Sequence, residues 1–395
     1  MSEQQENLQE PDSQTVTYLV TGGAGFIGAN FVKHIVATHA KQARVVVLDA
    51  LTYAGNLANI HDEMASGAVT FVHGDINDDA IVEKVFADFD PDFVVNFAAE
   101  SHVDRSITAP RIFAQTNILG TQTLLEAAKR HWRQPDGTWK PGKRYLQIST
   151  DEVYGSLTRD YDTPHHIALT EEMARITSGR RDVPAAFGKE FFTEQTPLSP
   201  RSPYSAAKAS ADMLTLAYHH TFGMPVVITR CSNNYGPWQF PEKLIPLMIN
   251  NIVEGRELPV YGRGVNVRDW LYVDDHCRAI EAVLRRGKLG EVYNIGGFNE
   301  KQNIDIVHSI IELVAEMNGT PARHDLVRYV TDRPGHDMRY AIDPTKTAVE
   351  LGWYPQTTFD EGIRLTVKWY LEHRAWTQEI TSGEYRDYYR KHYNR

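Results

Sequence analysis

The most constraining feature of this 395-residue chain is a glycine cluster, Thr21-Gly22-Gly23-Ala24-Gly25-Phe26-Ile27-Gly28, set between a β-branched run and a helical stretch. It reads as GxGxxG through Gly23, Gly25 and Gly28, or as GxxGxxG through Gly22, Gly25 and Gly28. Glycines permit a tight turn, let a pyrophosphate approach the backbone and allow close helix packing. The helix start adds N–H donors and partial positive charge. A strand before the glycines and a helix after them is the context in which the motif binds a dinucleotide.

The rest of the chain extends this unit. Predicted strands are Val16–Thr21, Arg44–Leu48, Val69–Val72, Phe93–Phe97, Arg144–Ser149 and Val226–Thr229, with helices over Phe26–Thr38, Asp79–Phe89, Asn117–His131 and Ser205–Phe222. Alternating strands and helices predict an α/β fold, a doubly wound parallel Rossmann sheet covered on both faces. From about Cys231 the texture shifts to Pro- and Gly-spaced loops, read as a smaller mixed α/β lobe over residues 231–395. Residues 16–230 form the predicted nucleotide-binding domain, and part of 266–296 is expected to pack back on it. Residues 1–15 read as a disordered acidic tail. A polar insert, Ser156 to Gln195, is expected to carry a short helix near Thr170 to Ile176 and to form a mobile flap over the site.

Composition narrows the function. With 41 basic against 51 acidic residues the chain carries −10, which argues against a nucleic-acid or anionic-membrane partner. No run approaches a membrane span, and Cys231 and Cys277 stand apart from any Cys/His cluster, so neither a structural metal nor a disulfide framework is expected. A reducing cytoplasm fits best.

Asp49 ends the second predicted strand, where a carboxylate accepts hydrogen bonds from an adenosine ribose and repels a 2′-phosphate, favouring NAD over NADP. Asp75 and Ile76 follow the third strand and are placed at the adenine edge. Ala98, after the fourth strand, is small where backbone passes close to cofactor. Tyr204 and Lys208 lie four apart on one helix face, the YxxxK geometry of a tyrosine base with a neighbouring ammonium. Thr150, Asp151 and Glu152 end the preceding strand. A simple dehydrogenase or epimerase needs only the tyrosine, whereas two adjacent carboxylates suit an acid and a base for eliminating water. Lys243, Arg268 and Arg333 as a set would hold a diphosphate within a chain of net negative charge.

At these residues the sequence resembles the dTDP-glucose 4,6-dehydratases, members of the extended short-chain dehydrogenase/reductase family. The specific stretches are Asp49 to Asn56, Ala98 to Ser106, Ser149 to Gly155, Pro200 to Ser210, Arg230 to Pro237, Pro241 to Pro246 and Asp332 to Asp337. The resemblance implies NAD as cofactor, with Gly22, Gly25, Phe26, Ile27, Gly28 and Thr52 among its contacts, and dTDP-glucose as substrate. It implies Tyr204, tuned by Lys208 and helped by Thr150, at carbon 4 of the hexose. Glu152 would be the base at carbon 5 and Asp151 the acid at carbon 6. Ser101, Asn233, Lys243, Arg268, Asn303, Arg333 and His336 fall at substrate positions. A homodimer through the helices Asn117–His131 and Ser205–Phe222 is implied as well. Competing readings are a dehydratase for another nucleotide sugar, a 4-epimerase, which the Asp151-Glu152 pair disfavours, and a non-catalytic NAD-binding regulator.

Overall fold

The structure, a computed structural model, describes residues 15–168, 171–176 and 185–381. All of the predicted tail but Thr15 lies outside the described residues, as does Thr170, the start of the predicted helix in the insert. From Glu171 to Ile176 that helix is present.

Seven parallel strands form the central sheet. Strands β1 (Val16–Thr21), β2 (Ala43–Asp49), β3 (Val69–His73), β4 (Phe93–Asn96) and β5 (Arg144–Thr150) are joined by Val226–Cys231 and Val292–Ile295. Their order is Val292–Ile295, Val226–Cys231, β5, β4, β1, β2, β3, so the direction of winding reverses between β1 and β4. Crevices at such a switch point receive ligands. Strand residues alternate between two buried layers, as period two requires. Tyr18, Val20, Val45, Val47 and Val95 pack with Phe31, Ile35, Cys277 and Ile280, while Leu19, Val46, Leu48 and Val94 pack with Val82, Phe86, Leu124 and Trp132. The first layer is covered by α1 (Phe26–His39) together with Val273–Arg286, a helix supplied from beyond Cys231.

The seventh strand was absent from the sequence reading. Val292–Ile295 is short, and it joins the sheet only by pairing in register with Ile228–Cys231. The predicted Asn117–His131 helix is also modified. It opens as a π-helical segment, Ala114–Gly120, before the α-helix Thr121–Trp132. Asn117 there exchanges two hydrogen bonds with the Glu100 backbone, at 2.9 and 3.0 Å. Wide turns of this kind recur at functional sites.

The second lobe has its own core, in which Ile245, Met248, Ile306, Ile310, Ile363 and Val367 meet from three helices, Leu244–Val253, Asn303–Asn318 and Phe359–Glu372. The insert is strapped to this side of the molecule. The Leu157 N–H donates to the Arg339 carbonyl at 3.0 Å, and the Phe192 N–H to the Ala341 carbonyl at 2.8 Å. Between these clamps the fully buried Arg339 guanidinium pairs with Glu300 at 2.7 Å and donates to the Glu190 carbonyl at 2.8 Å. The flap expectation also covers residues 169–170 and 177–184, which lie outside the described residues. Ala186, Phe187 and Phe192 are buried, and no described residue of the insert lines the main cavity. Polar composition concealed these anchors because the groups that hold them lie some 150 residues away in sequence.

Candidate active site

A cavity of about 750 Å³ opens at the carboxyl ends of β1, β2, β4 and β5. At one end the β1–α1 turn forms its wall. Gly22 has φ +67°, and a Cβ there would stand 2.7 Å from the Ala98 nitrogen. A Cβ on Gly28 would stand 2.3 Å from the Gly22 carbonyl oxygen. The helix start at Gly25 has no side-chain cap and no acidic residue in its first turn, so its N–H donors and positive dipole end face the cavity wall uncancelled. Asp49 is buried, and its carboxylate accepts from the Ala24 and Leu51 N–H groups at 2.9 and 2.8 Å. Burial raises its pKa, and those two hydrogen bonds oppose the rise. Gly22, Gly25, Phe26, Ile27, Gly28, Asp49, Thr52, Asp75, Ile76 and Ala98 all line the cavity. A cradle that side chains would fill, a free helix start and a buried carboxylate at the end of β2 fit a dinucleotide with unsubstituted ribose hydroxyls.

Thr150, Asp151, Glu152, Tyr204 and Lys208 line the same cavity. Strand β5 ends at Thr150, whose hydroxyl accepts from the Glu152 N–H at 3.3 Å and so caps the short turn Asp151–Tyr154. That turn lets the two carboxyl groups leave the alternation of the strand. The helix Pro203–Phe222 starts two residues before its predicted beginning, because Ser202 and Ser205 cap each other and Pro203 is tolerated at the first position. Tyr204 therefore sits in the first turn, with Lys208 one turn below it. The Lys208 ammonium donates to the Ile148 carbonyl at 2.5 Å.

Charge separates the two carboxyls. Asp151 is held well above the usual carboxylate range by burial, reinforced by the charges of Glu152 and Asp269; its Oδ2 has no hydrogen-bond partner among the described residues. Glu152 is also raised by burial, but Arg333, Arg268 and Lys243 pull it back. Neighbouring carboxyls in different surroundings are the arrangement that yields one acid and one base. The Tyr204 phenol is pushed up by burial and by the charges of Glu152, Cys231 and Asp151, so it stays protonated until further positive charge arrives. Burial lowers Lys208.

Of the seven substrate candidates, Ser101, Asn233 and Lys243 line the cavity, and Lys243 donates to the Ser101 carbonyl at 3.0 Å. Arg268, Asn303, Arg333 and His336 do not line it. Arg268 and Arg333 act on the charge of Glu152; Arg333 also pairs with Asp104 at 3.2 Å. Asn303 opens its helix, and its side-chain oxygen has no hydrogen-bond partner among the described residues. His336 is bound to Asp332 at 2.6 Å, and burial holds it down at about 4.

The profile of the NAD dependent epimerase/dehydratase family matches residues 18–296. A dTDP-glucose 4,6-dehydratase of Xanthomonas campestris is 50% identical over 374 residues, which is 94% of this chain and 97% of that protein. The Escherichia coli dTDP-glucose 4,6-dehydratase 1 is 49% identical over 376 residues, or 95% and 98% of the two chains. This chain belongs to the NAD dependent epimerase/dehydratase family. Among solved members, a dTDP-glucose 4,6-dehydratase from Streptomyces venezuelae with NAD and TYD bound superposes with a TM-score of 0.78 at 42% identity, covering 92% of this chain and 100% of that one. A Thermus thermophilus UDP-glucose 4-epimerase in complex with NAD has a TM-score of 0.73 at 28% identity, covering 91% and 100%.

Against that family frame, sequence reasoning left four charged cavity or sub-cavity residues without a role. Glu100 and Glu242 line the cavity, and burial pushes Glu242 up to about 7. A lone carboxylate after small residues was the available signal for Glu100; Glu242, next to Lys243, offered none. Asp212 and Arg230 lie beneath the cavity floor as a fully buried pair at 2.8 Å. Asp212 is one further turn along from Tyr204 and Lys208, a spacing visible in the sequence.

Proposed function

We propose that this chain is an NAD-dependent 4,6-dehydratase that converts dTDP-glucose to dTDP-4-dehydro-6-deoxyglucose. The observation that carries the reading is the Asp151–Glu152 turn beside Tyr204, whose two carboxyls share one cavity in different charge surroundings. Substrate identity rests on the dTDP-glucose dehydratases that are about half identical along nearly the whole chain.

When bound, NAD would supply a reversible hydride acceptor for carbons 4 and 6 and positive charge beside Tyr204. Tyr204, as phenolate, accepts the proton of the carbon 4 hydroxyl, and Thr150 holds the same oxygen. Two cations beside a phenol are needed because its pKa must fall by roughly 3 units, about 4 kcal/mol, for it to act near neutrality. The ketone formed at carbon 4 acidifies carbon 5. Glu152 removes the carbon 5 proton while Asp151 donates its own to the departing carbon 6 hydroxyl, which leaves as water. Glu152, once its proton has exchanged with solvent, returns a solvent-derived proton to carbon 5 as carbon 6 receives hydride, and Asp151 and Tyr204 then recover their starting protonation by exchange with solvent. Lys243 and Asn233, on the cavity wall, hold the diphosphate and nucleoside, while Arg268 and Arg333 set the charge of Glu152. Ser101 borders the sugar end.

We also assign a two-domain organisation, with the Rossmann domain over 16–230 joined by part of 266–296. A homodimer is supported by Leu119 and Met213, 52% and 64% exposed on the two helices named for the seam. A reducing cytoplasm agrees with two buried free thiols, Cys231 and Cys277, and among the described residues no helix is long and apolar enough to cross a membrane.

The decisive measurement follows label in deuterated water with dTDP-glucose carrying tritium at carbon 4. Deuterium is expected at carbon 5 and tritium on carbon 6 of the ketosugar. Tritium released to water, or an epimerised sugar that retains its carbon 6 oxygen, would overturn the reading.

A further inference from the structure

Trp238 carries a left-handed backbone, φ +68°, which a bulky side chain adopts only at a cost. A residue held in that region is over-determined by its surroundings and points to a place where chain geometry is used. Trp238 itself does not line the main cavity, but the run that follows it does, through Gln239, Phe240, Glu242 and Lys243. Its surroundings come from both lobes. The indole meets Trp369 and Trp376 edge-on, with ring centroids 4.7 and 5.5 Å away, and the Lys33 ammonium stands 4.9 Å from its centre. Before it, the Pro237 carbonyl accepts from the Asn30 side-chain amide at 3.0 Å; after it, the Gln239 carbonyl accepts from the buried Tyr370 hydroxyl at 2.5 Å. Asn30 and Lys33 belong to α1, which starts at the cofactor wall, whereas Trp369 and Tyr370 lie on Phe359–Glu372 and Trp376 on the next helix, Arg374–Ile380. The Trp376 indole N–H donates to Asn59 at 2.9 Å, which fastens that last helix to the first lobe as well.

We infer that Trp238 is a positioning residue: it pins residues 239–243 against the nucleotide-sugar end of the cavity, at a backbone angle set jointly by α1 and the two helices Phe359–Glu372 and Arg374–Ile380. The carbonyls on either side of the indole are both taken up by donors, so the left-handed turn has fixed ends, and the surrounding rings fix its middle. Beyond the turn the Phe240 ring stands edge-on to Tyr53 at 5.8 Å, and Lys243 donates to the Ser101 carbonyl at 3.0 Å. Glu242 and Lys243 therefore reach the cavity from a segment fastened at both ends. The glycine turn over residues 22–28, the pair Asp151 and Glu152, and Tyr204 stand on other elements. Releasing the pin is thus expected to loosen the hold on the nucleotide sugar while sparing the cofactor and the chemical steps.

The inference rests on the proposed function for the identity of its ligand, but half of its test needs no ligand. Trp238→Ala, Trp238→Gly and Trp238→Phe are made in the full chain. Without ligand, amide hydrogen exchange over residues 239–243 should quicken about tenfold in Trp238→Ala and return close to the unmodified rate in Trp238→Phe, which keeps a ring in the box. Trp238→Gly should melt above Trp238→Ala, because glycine takes a positive φ freely and alanine does not. By calorimetry, dTDP affinity should fall about tenfold in Trp238→Ala and recover in Trp238→Phe, with NAD affinity unchanged in both. The KM for dTDP-glucose should rise by the same factor while kcat holds. Unchanged exchange in the segment, an alanine variant that melts at or above the glycine one, or NAD affinity that falls together with dTDP affinity would each overturn the assignment. An unmodified protein that does not bind dTDP would instead remove the dTDP-glucose reading, and the exchange and melting comparisons would still decide the role of Trp238.

Discussion

At the cofactor end of the cavity the contacts are set by what is missing, while at the sugar end they are set by charge. Gly22 and Gly28 shape the first by having no side chain, and a helix start and one carboxylate complete it within residues 16–49. The second draws Asp151 and Glu152 from one turn, Lys243 from the start of another helix, and Arg268 and Arg333 from the far lobe. A steric device is local and tolerates little change. An electrostatic device is assembled over the whole chain, and each of its members adjusts a proton affinity by degrees. Predictions can be ranked on that distinction.

The largest effect belongs to the sugar end. Glu152→Gln keeps size but cannot take the carbon 5 proton, so water loss should fall by roughly 100- to 10,000-fold. Reduced cofactor should then build up on mixing with substrate, seen by its absorbance in stopped flow. Tyr204→Phe should show no such build-up, and its appearance there would dissolve the division of labour between the two groups.

Gly28→Ala tests the steric end. With its Cβ 2.3 Å from a carbonyl oxygen, the helix cannot keep its place against the turn. We expect NAD affinity, measured by calorimetry, to fall about 100-fold, equivalent to roughly 3 kcal/mol of strain. Thermal stability should fall as well. Unchanged affinity would mean that the turn yields, and the contrast between the two ends would fail.

The mildest change is Arg333→Gln. Burial raises the Glu152 pKa and Arg333 is the first group pulling it down, so removing the guanidinium should raise it further. Because Glu152 acts as carboxylate, the acid limb of the elimination rate should move to higher pH, leaving the plateau above it largely intact. NAD affinity should not change. An acid limb that stays in place would separate Arg333 from Glu152.

The same contrast explains what the sequence disclosed. Six strands and the whole cofactor wall follow from local pattern, since Asp49 and the glycines act where they stand in the chain. Val292–Ile295 went unread because its sheet is fixed only by its partner, Val226–Cys231. The pairing of Arg230 with Asp212, and the influence of Arg268 and Arg333 on Glu152, join residues that no short window contains. The resemblance carried Arg268 and Arg333 as substrate contacts. Their effect on a carboxyl needed the fold.

The two backbone clamps at Leu157 and Phe192 lie between the acid–base turn and the Tyr204 helix, and both fasten to the same segment, Arg339 to Ala341. Phe192 also stacks on Tyr154 at 5.1 Å, so a pull on the Arg339–Glu300 pair would reach the turn of Asp151 and Glu152 through a ring.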